Sequence, residues 1–517
     1  MSSAVGQPSF LDEIRAHAER RPTAPAIRGR SGCLSYQELV ERIGARAREL
    51  RRSGIREGNR VAIIADNSPD YLLSAFAIWE AGGVLVTVYP SSGESDLAHC
   101  LDSSTPTLVL TEPRLIETVS AVVTGRGRVA DINQPLTAEP ACPRVADTTV
   151  APDDLALICY TSGSTNRPKA VMHRHRGLLA AAHEFGRVWR VSSQDRTIVS
   201  LPMAWAFGLV TTSMTTLLAG GEVLPFARTR PEQIVDAISN ERATFLAGVT
   251  TMFAKLVAHL RELDEERDFS SLRFCVSGGE PRNEHLFDEW RARTGRQVHD
   301  NLASSECFPV ITSDPVEGSP PPRGSSGKVV PGAAMRVVAP DGSDVRPGDK
   351  GEALWRAPAT FAGYWRDAEA TAAALTADGW YRTQDLVRVD QDGYVYVEGR
   401  LSDMIIRGGS NVSPGEVESV LSEHPAVAEV AVVGPPDSVY GQAVTAVIVP
   451  ADGLAAEPAE LDRFCSSRLA GYKVPSAFLL VDGLPQNSTG KIDRRRVLTD
   501  LQEQGVGLAS SRGDESA

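Results

Sequence analysis

The chain has 517 residues, too many for one ordinary hydrophobic core, and at ~150 residues per domain it should hold roughly three units. With 42% hydrophobic and 23% charged residues it is neither wholly disordered nor fibrous. The net charge of −13 disfavours nonspecific binding to nucleic acid or anionic membrane, but leaves room for a local basic pocket that takes a polyanion.

Seven cysteines (Cys33, Cys100, Cys142, Cys159, Cys275, Cys307 and Cys465) lie far apart with no C-x-x-C pair, which suits a reducing compartment better than a disulfide framework. Met1 to Phe10 has neither a basic stretch nor an apolar core, so no secretory signal is expected. The most apolar stretch, Tyr71 to Tyr89, is interrupted by Glu80 and Gly82-Gly83 and falls short of a membrane span. A soluble, cytoplasmic protein is the expectation.

In chain order, Leu39, Ile43, Ala47 and Leu50 recur at helical spacing and predict one buried helix face. Gly54 and Gly58 close that helix, and Val61 to Ala65 reads as a buried strand. Pro69 to Glu80 is helical again, and Val84 to Val88 strand-like. Such alternation predicts an α/β fold, with parallel sheets covered by helices. Thr124 to Asp154, rich in Pro, Thr and Ala, reads as a surface connection. A second alternating region runs from Leu155 to about Pro309. Beyond the turn-rich Gly318 to Gly324, short strands at Met335 to Val338, Glu352 to Arg356 and Tyr394 to Glu398 predict a β-rich subdomain. After Gly399-Arg400 come a helix at about Pro414 to Ser422, strands at Val427 to Val433 and Ala443 to Val449, and a helix at Leu461 to Leu469. These predict a large domain over 1–400 and a small, mobile α+β domain over 401–517. A disordered tail is expected after about residue 505.

The strand pattern Leu155 to Tyr160 runs into Thr161-Ser-Gly-Ser-Thr-Asn-Arg-Pro-Lys169. Small hydroxyl and glycine residues let backbone N–H groups approach an anion, and a lysine adds a point charge. It is not a Walker A loop, because Pro168 precedes the lysine. His173 and His175, beside Arg174 and Arg176 with no local carboxylate or cysteine, do not make a metal site.

The loop resembles the T-S-G-[ST]-T-G-x-P-K-G signature of the adenylate-forming superfamily, which includes acyl-CoA synthetases, peptide-synthetase adenylation domains and luciferases. Five further segments match in order: Ser277-Gly-Gly-Glu280; Asn301-Leu-Ala-Ser-Ser-Glu306; Trp380-Tyr-Arg-Thr-Gln-Asp385; Gly399-Arg-Leu-Ser-Asp-Met-Ile405 with Gly409 and Pro414-Gly-Glu-Val-Glu418; and Asn487-Ser-Thr-Gly-Lys-Ile-Asp-Arg494. The likeness spans roughly residues 10–496 and is nearest to benzoate-type aryl-CoA ligases.

The resemblance implies a two-step ligase using ATP, Mg²⁺ and coenzyme A. A carboxylate attacks the α-phosphorus and expels pyrophosphate; a thiol then displaces AMP from the acyl-adenylate. It implies that Thr161, Ser162, Gly163, Ser164, Thr165 and Lys169 cradle phosphates, and that Glu306 holds the metal. Gly279, Glu280, Asn301, Leu302, Ser305, Asp385 and Arg400 would bind the nucleotide. Lys491 would bridge substrate carboxylate and α-phosphate, so Lys491, Glu306 and Lys169 are the implied catalytic residues. Trp205, Phe207, Gly278 and Ala303 would line the acyl pocket, with a run Trp205-Ala-Phe-Gly-Leu209 similar to that of benzoate-type ligases. Ser402 would be the hinge about which the small domain rotates. Gly408 and Gly409 would line the CoA channel, with Gly409 keeping the passage open.

Several positions depart from that pattern. Asn166 and Ala170 replace glycines of the phosphate loop, Leu302 and Ala303 stand where tyrosine and glycine usually sit, and Gln384 replaces the glycine before Asp385. Four readings are open: a full acyl-CoA ligase for an aryl or bulky cyclic acid, an enzyme that thioesterifies an adenylate made by a separate adenylating enzyme, an enzyme that loads a carrier protein, or a non-catalytic adenylate binder. Retained Lys491, Glu306 and Lys169 favour the first. Acid or acyl-adenylate and CoA are the expected partners, in a setting such as secondary metabolism, with neither nucleic acid nor a membrane span involved.

Overall fold

The computed structural model describes residues 8–29, 32–123, 127–136, 150–161, 167–263, 267–315, 321–451, 453–486 and 492–503. Ser162, Gly163, Ser164, Thr165, Asn166 and Lys491 lie outside them, as does the segment after 503.

The helix Tyr36–Arg52 begins at a reciprocal cap: Ser35 Oγ accepts from Glu38 N, and the Glu38 carboxylate accepts from Ser35 N. Its apolar row, Tyr36, Leu39, Ile43, Ala47 and Leu50, is buried as the spacing predicted. Strands Arg60–Ile64 and Val84–Thr87 flank the helix Pro69–Glu80, again as expected. They enter a six-stranded sheet, in the order Arg128–Asp131, Leu108–Thr111, Arg60–Ile64, Val84–Thr87, Leu155–Thr161 and Lys169–Arg174. All its pairings are parallel except the last, where the chain turns back on itself. The edge strand Arg128–Asp131 corrects the reading of Thr124 to Asp154 as connection throughout. It carries just Val129 and Ala130 between charged ends, too short an apolar run to stand out.

A nine-stranded sheet runs Lys328–Val329, Cys307–Thr312, Val298–Ser304, Phe274–Gly278, Phe245–Gly248, Arg196–Val199, Glu222–Pro225, Pro25–Gly29 and Gly32–Ser35. The main core lies between the two large sheets and includes Leu39, Phe76, Phe185, Trp189 and Phe207. Separate clusters cover the outer faces, with Phe253 and Trp290 on one and Ile64 and Leu101 on the other. The predicted β-rich part is a four-stranded antiparallel sheet of Ala334–Val338, Lys350–Arg356, Tyr381–Val389 and Val395–Arg400.

Beyond Arg400 a short turn of helix, Leu401–Asp403, leads into two small sheets. One holds the hairpin Ile405–Arg407 and Ser410–Val412; the other is Val427–Val433, Thr445–Pro450 and Ala477–Leu480. The helices Pro414–Leu421 and Pro458–Ser466 pack on them around Val417, Leu421 and Leu461. Among the described residues no helix is long and apolar enough to cross a membrane. Cys33, Cys100, Cys159, Cys275, Cys307 and Cys465 are free thiols.

Candidate active site

Three parallel strands bring their C-terminal ends side by side, pairing Gly248 with Ser277, Ser277 with Asp300 and Gly278 with Asn301. This is the edge of an α/β sheet at which ligand crevices form. A Cβ on Gly278 would lie 2.6 Å from the Asn301 carbonyl oxygen and 3.1 Å from Phe207 Cε1, so glycine is required for strand and ring to close on each other. Asn301 is 6% exposed, and its Oδ1 is buried without a partner among the described residues. Leu302 and Ala303 pack, partly buried, against the main core. Gly279 comes next at φ +83°, a left-handed turn that releases the chain from the strand. The Glu280 side chain turns away to cap the helix Thr250–Glu262, accepting from Thr251 N at 2.8 Å and Thr251 Oγ1 at 3.1 Å.

The turn after Ser304 carries Glu306, which meets the segment holding Phe361 and Tyr364. Glu306 is 8% exposed; its Oε1 accepts the Tyr364 hydroxyl at 2.8 Å, and its carbonyl accepts Phe361 N at 2.7 Å. Lys169 Nζ stands 5.1 Å from the centre of the same Tyr364 ring. Thr161 and Lys169 are cross-strand partners and so bracket the expected phosphate loop. Burial and the Glu306 charge hold the Tyr364 phenol protonated, so it stays a donor. Ser305 contributes its carbonyl, which accepts His173 Nε2 at 2.7 Å. Burial lowers the His173 pKa to about 4, and that of His175 likewise, so both are neutral core histidines. No cluster of potential metal ligands forms among the described residues.

Asp385 and Arg400 face each other on adjacent antiparallel strands, joined by Arg400 Nε and Asp385 Oδ1 at 2.9 Å. Burial raises the Asp385 pKa even against the pull of Arg400, and Glu306 adds to the rise. Asp385 and Glu306 therefore feel each other's charge. Gln384, before Asp385, sits at φ +62°, with its Nε2 donating to Glu352 Oε1 at 3.2 Å. Next to the boundary, Ser402 Oγ donates to Asp403 Oδ1 at 2.9 Å. In the small domain Glu418 is held by Arg494 Nε at 2.9 Å and by Val432 N at 2.8 Å. Arg494 also feels the charges of Asp403 and Arg400.

Gly408 and Gly409 form the tip of the hairpin, at φ +57° and +80°. A Cβ on Gly409 would meet nothing within 4 Å, so the demand for glycine seen here comes from backbone conformation. Tyr440 and Tyr472 flank this hairpin half-exposed; the Arg407 guanidinium lies 5.3 Å from the Tyr440 ring and donates to the Tyr472 carbonyl at 3.0 Å.

Trp205 and Phe207, the aromatic residues expected to line the acyl pocket, meet edge to face with centroids 5.5 Å apart, and Phe207 is 5% exposed. Phe207 opens a π-helix, Phe207–Met214. Hydroxyls reinforce it: Thr212 Oγ1 and Ser213 Oγ each donate to Gly208 O at 2.7 Å. The structure thus brings Lys169 and Glu306 to the same Tyr364 side chain, pairs Asp385 with Arg400, and packs Phe207 against Gly278 on one side and Trp205 on the other. Tyr364, which links the first pair, escaped the sequence reading; its one signal is the aromatic run Gly363-Tyr364-Trp365 in a turn-rich stretch.

Two features fit a magnesium nucleotide. Glu306 has no ion-pair partner among the described residues although its carboxylate is buried, a costly state that a hard cation relieves. The orphaned Asn301 Oδ1 awaits a donor.

Residues 14–365 match the model of the AMP-binding enzyme family, and residues 416–491 that of the AMP-binding enzyme C-terminal domain. A feruloyl-CoA synthase from an Amycolatopsis species is 37% identical over 476 residues, covering 92% of this chain and 95% of its own. An indoleacetate–CoA ligase from Aromatoleum aromaticum is 32% identical over 495 residues, covering 93% and 95%. Among solved structures, ATP-bound MatB from Rhodopseudomonas palustris superposes with a TM-score of 0.87 at 30% identity, covering 96% of this chain and 99% of its own. With motifs, fold and relatives in agreement, the chain belongs to the AMP-binding enzymes, in the branch of AMP-forming acyl-CoA ligases that use ATP, Mg²⁺ and coenzyme A.

Proposed function

We propose that the enzyme activates an aryl or bulky cyclic carboxylic acid as its acyl-adenylate and transfers the acyl group to coenzyme A. The observation that carries the acid class is the aromatic pair Trp205 and Phe207, which meet edge to face with Phe207 packed on Gly278. The feruloyl-CoA synthase and the indoleacetate–CoA ligase are named for acids that carry aromatic rings, which supports the same reading.

In this reading Thr161 to Lys169 take the β- and γ-phosphates and Lys169 contributes its charge. Glu306, positioned by Tyr364, holds Mg²⁺, which when bound neutralises phosphate charge. Asn301 accepts from the adenine amino group, and Asp385 accepts from the ribose hydroxyls while Arg400, bonded to its Oδ1, opposes the rise in its pKa that burial causes. Lys491 reaches in from the small domain to balance the charge that gathers as the acid oxygen attacks the α-phosphorus and pyrophosphate leaves. Rotation at Ser402 then exchanges that face for the Gly408–Gly409 hairpin, and the CoA sulfur attacks the acyl carbon and expels AMP.

A second reading, thioesterification of a supplied adenylate, draws support from Gln384, which holds a conformation that strains any residue but glycine, and from Leu302 at the expected adenine-stacking position. One experiment separates the two. Pyrophosphate release is measured with ATP, Mg²⁺ and a panel of aryl, cyclic and straight-chain acids, beside thioester formation from the synthetic adenylates. Activity in both assays with a preference for ring acids is expected. Thioester formation alone would establish the second reading, and equal turnover of straight-chain acids would overturn the acid class.

A further inference from the structure

The wall of the expected acyl pocket is held from the other sheet. Strand Arg196–Val199 ends in a loop, Ser200 to Trp205, that leads into the π-helix bearing Phe207. Asn67, 6% exposed and just beyond strand Arg60–Ile64 of the six-stranded sheet, spans that loop. Its Nδ2 donates to Val199 O at 3.1 Å and to Leu201 O at 2.8 Å, and its Oδ1 accepts from Met203 N at 2.7 Å. Thr87, 1% exposed at the end of strand Val84–Thr87, donates from Oγ1 to Ala204 O at 2.8 Å. Two side chains from one sheet thus fix four main-chain groups in the five residues just before Trp205 and at the end of the preceding strand. Gly208 completes the fit: a Cβ there would lie 2.4 Å from Pro202 O, so loop and π-helix are pressed together.

Burying polar side chains is costly unless every group is satisfied. Asn67 and Thr87 meet that condition by bonding main chain of one short loop, where apolar residues would have filled the space at less risk. We propose that Asn67 and Thr87 are positioning residues that set the orientation of Trp205 and Phe207 and thereby the selectivity of the acid pocket. Neither touches nucleotide or acid; both act through the loop. The inference rests on the reading of Trp205 and Phe207 as the pocket wall.

The test compares Thr87→Val, which keeps the shape and removes the donor, with Thr87→Ser, which keeps the hydroxyl, and adds Asn67→Ala, Trp205→Ala and Phe207→Ala. KM for acid, KM for ATP, kcat and the ratio of ring to straight-chain turnover are measured in the full-length enzyme. Thr87→Val is expected to raise the acid KM about tenfold, with KM for ATP unchanged and the ring preference reduced. Thr87→Ser should restore the wild-type values, and Asn67→Ala should exceed Thr87→Val in the same direction. If Asn67→Ala does not fold, the Thr87 pair decides. A wild-type acid KM in Thr87→Val, or an equal rise in both KM values, overturns the inference so long as Trp205→Ala or Phe207→Ala raises the acid KM. If neither aromatic variant does so, the pocket assignment itself fails.

Discussion

A hairpin tip and a strand bulge ask for the same left-handed backbone and fill it differently. At the tip of the small-domain hairpin, Gly408 and Gly409 take φ +57° and +80° at no steric cost. In the large domain, Gln384 takes φ +62° one residue before Asp385, where a Cβ costs about 1 kcal/mol or more. The geometry survives in both places, because Asp385 still meets Arg400 at 2.9 Å. A departure from a motif here thus lowers stability, and it alters the chemistry only if the neighbouring functional side chain moves.

The most severe way to break the contrast is to leave both positions alone and remove the Glu306 charge that acts on Asp385. Glu306→Gln should cut pyrophosphate release by roughly a hundredfold or more while folding is kept, since the Tyr364 hydroxyl can still donate to the amide oxygen. Pyrophosphate assays across a Mg²⁺ series check it, and an unchanged rate would remove Glu306 from the metal site. Placing valine at Gly409 puts a branched side chain at φ +80° and should slow thioester formation from a supplied adenylate roughly tenfold, with pyrophosphate release little changed. Equal loss in both assays would mean that the hairpin serves folding and not the thiol.

Asp300 offers a measurement in pH. Burial raises its carboxyl to about 6, against opposition from Arg282 and Ser326, while Glu284 adds to the rise. The folded state thus holds this proton more tightly than the unfolded chain does. That contribution to stability is complete below about pH 4 and is lost as pH rises through about 6. Asp300→Asn should therefore flatten the decline, so that its stability relative to wild type grows between pH 4 and 6; denaturant midpoints over that window decide it. The smallest effect is expected at Gln384: its replacement by glycine should raise Tm by about 2 °C, its replacement by alanine should leave Tm unchanged, and both variants should keep both half-reactions within twofold. A large gain in ATP affinity from the glycine variant would show that the strained bulge disturbs Asp385 after all.

Much of the fold was legible because one face of each element is buried on both sheets' shared core. The row Leu39, Ile43, Ala47 and Leu50 could be read from spacing alone, and so could the apolar strand Leu155 to Tyr160. The strand Arg128–Asp131 could not, since an edge strand with two apolar residues carries no period. Charged site residues were found through motifs, yet Tyr364 and Asn67 were not, because neutral polar residues announce themselves only through partners distant in sequence. Glu280 shows the converse: a motif position whose side chain is taken up by the Thr250–Glu262 helix end. The π-helix was equally hidden, as its Ser/Thr-rich run reads as ordinary helix until the carbonyl partners are seen.

That π-helix sets how this enzyme can be reshaped. A loop of hydrogen bonding one residue longer than the α-helical one places Phe207 where Gly278 receives it. Deleting a single residue between Val210 and Ser213 would return the segment to α-helical winding and rotate its N-terminal side by about 100° relative to its C-terminal side. In chains of this kind a one-residue gap at this point would be a change in how Phe207 meets Gly278, and length as well as side-chain identity would then shape this part of the fold.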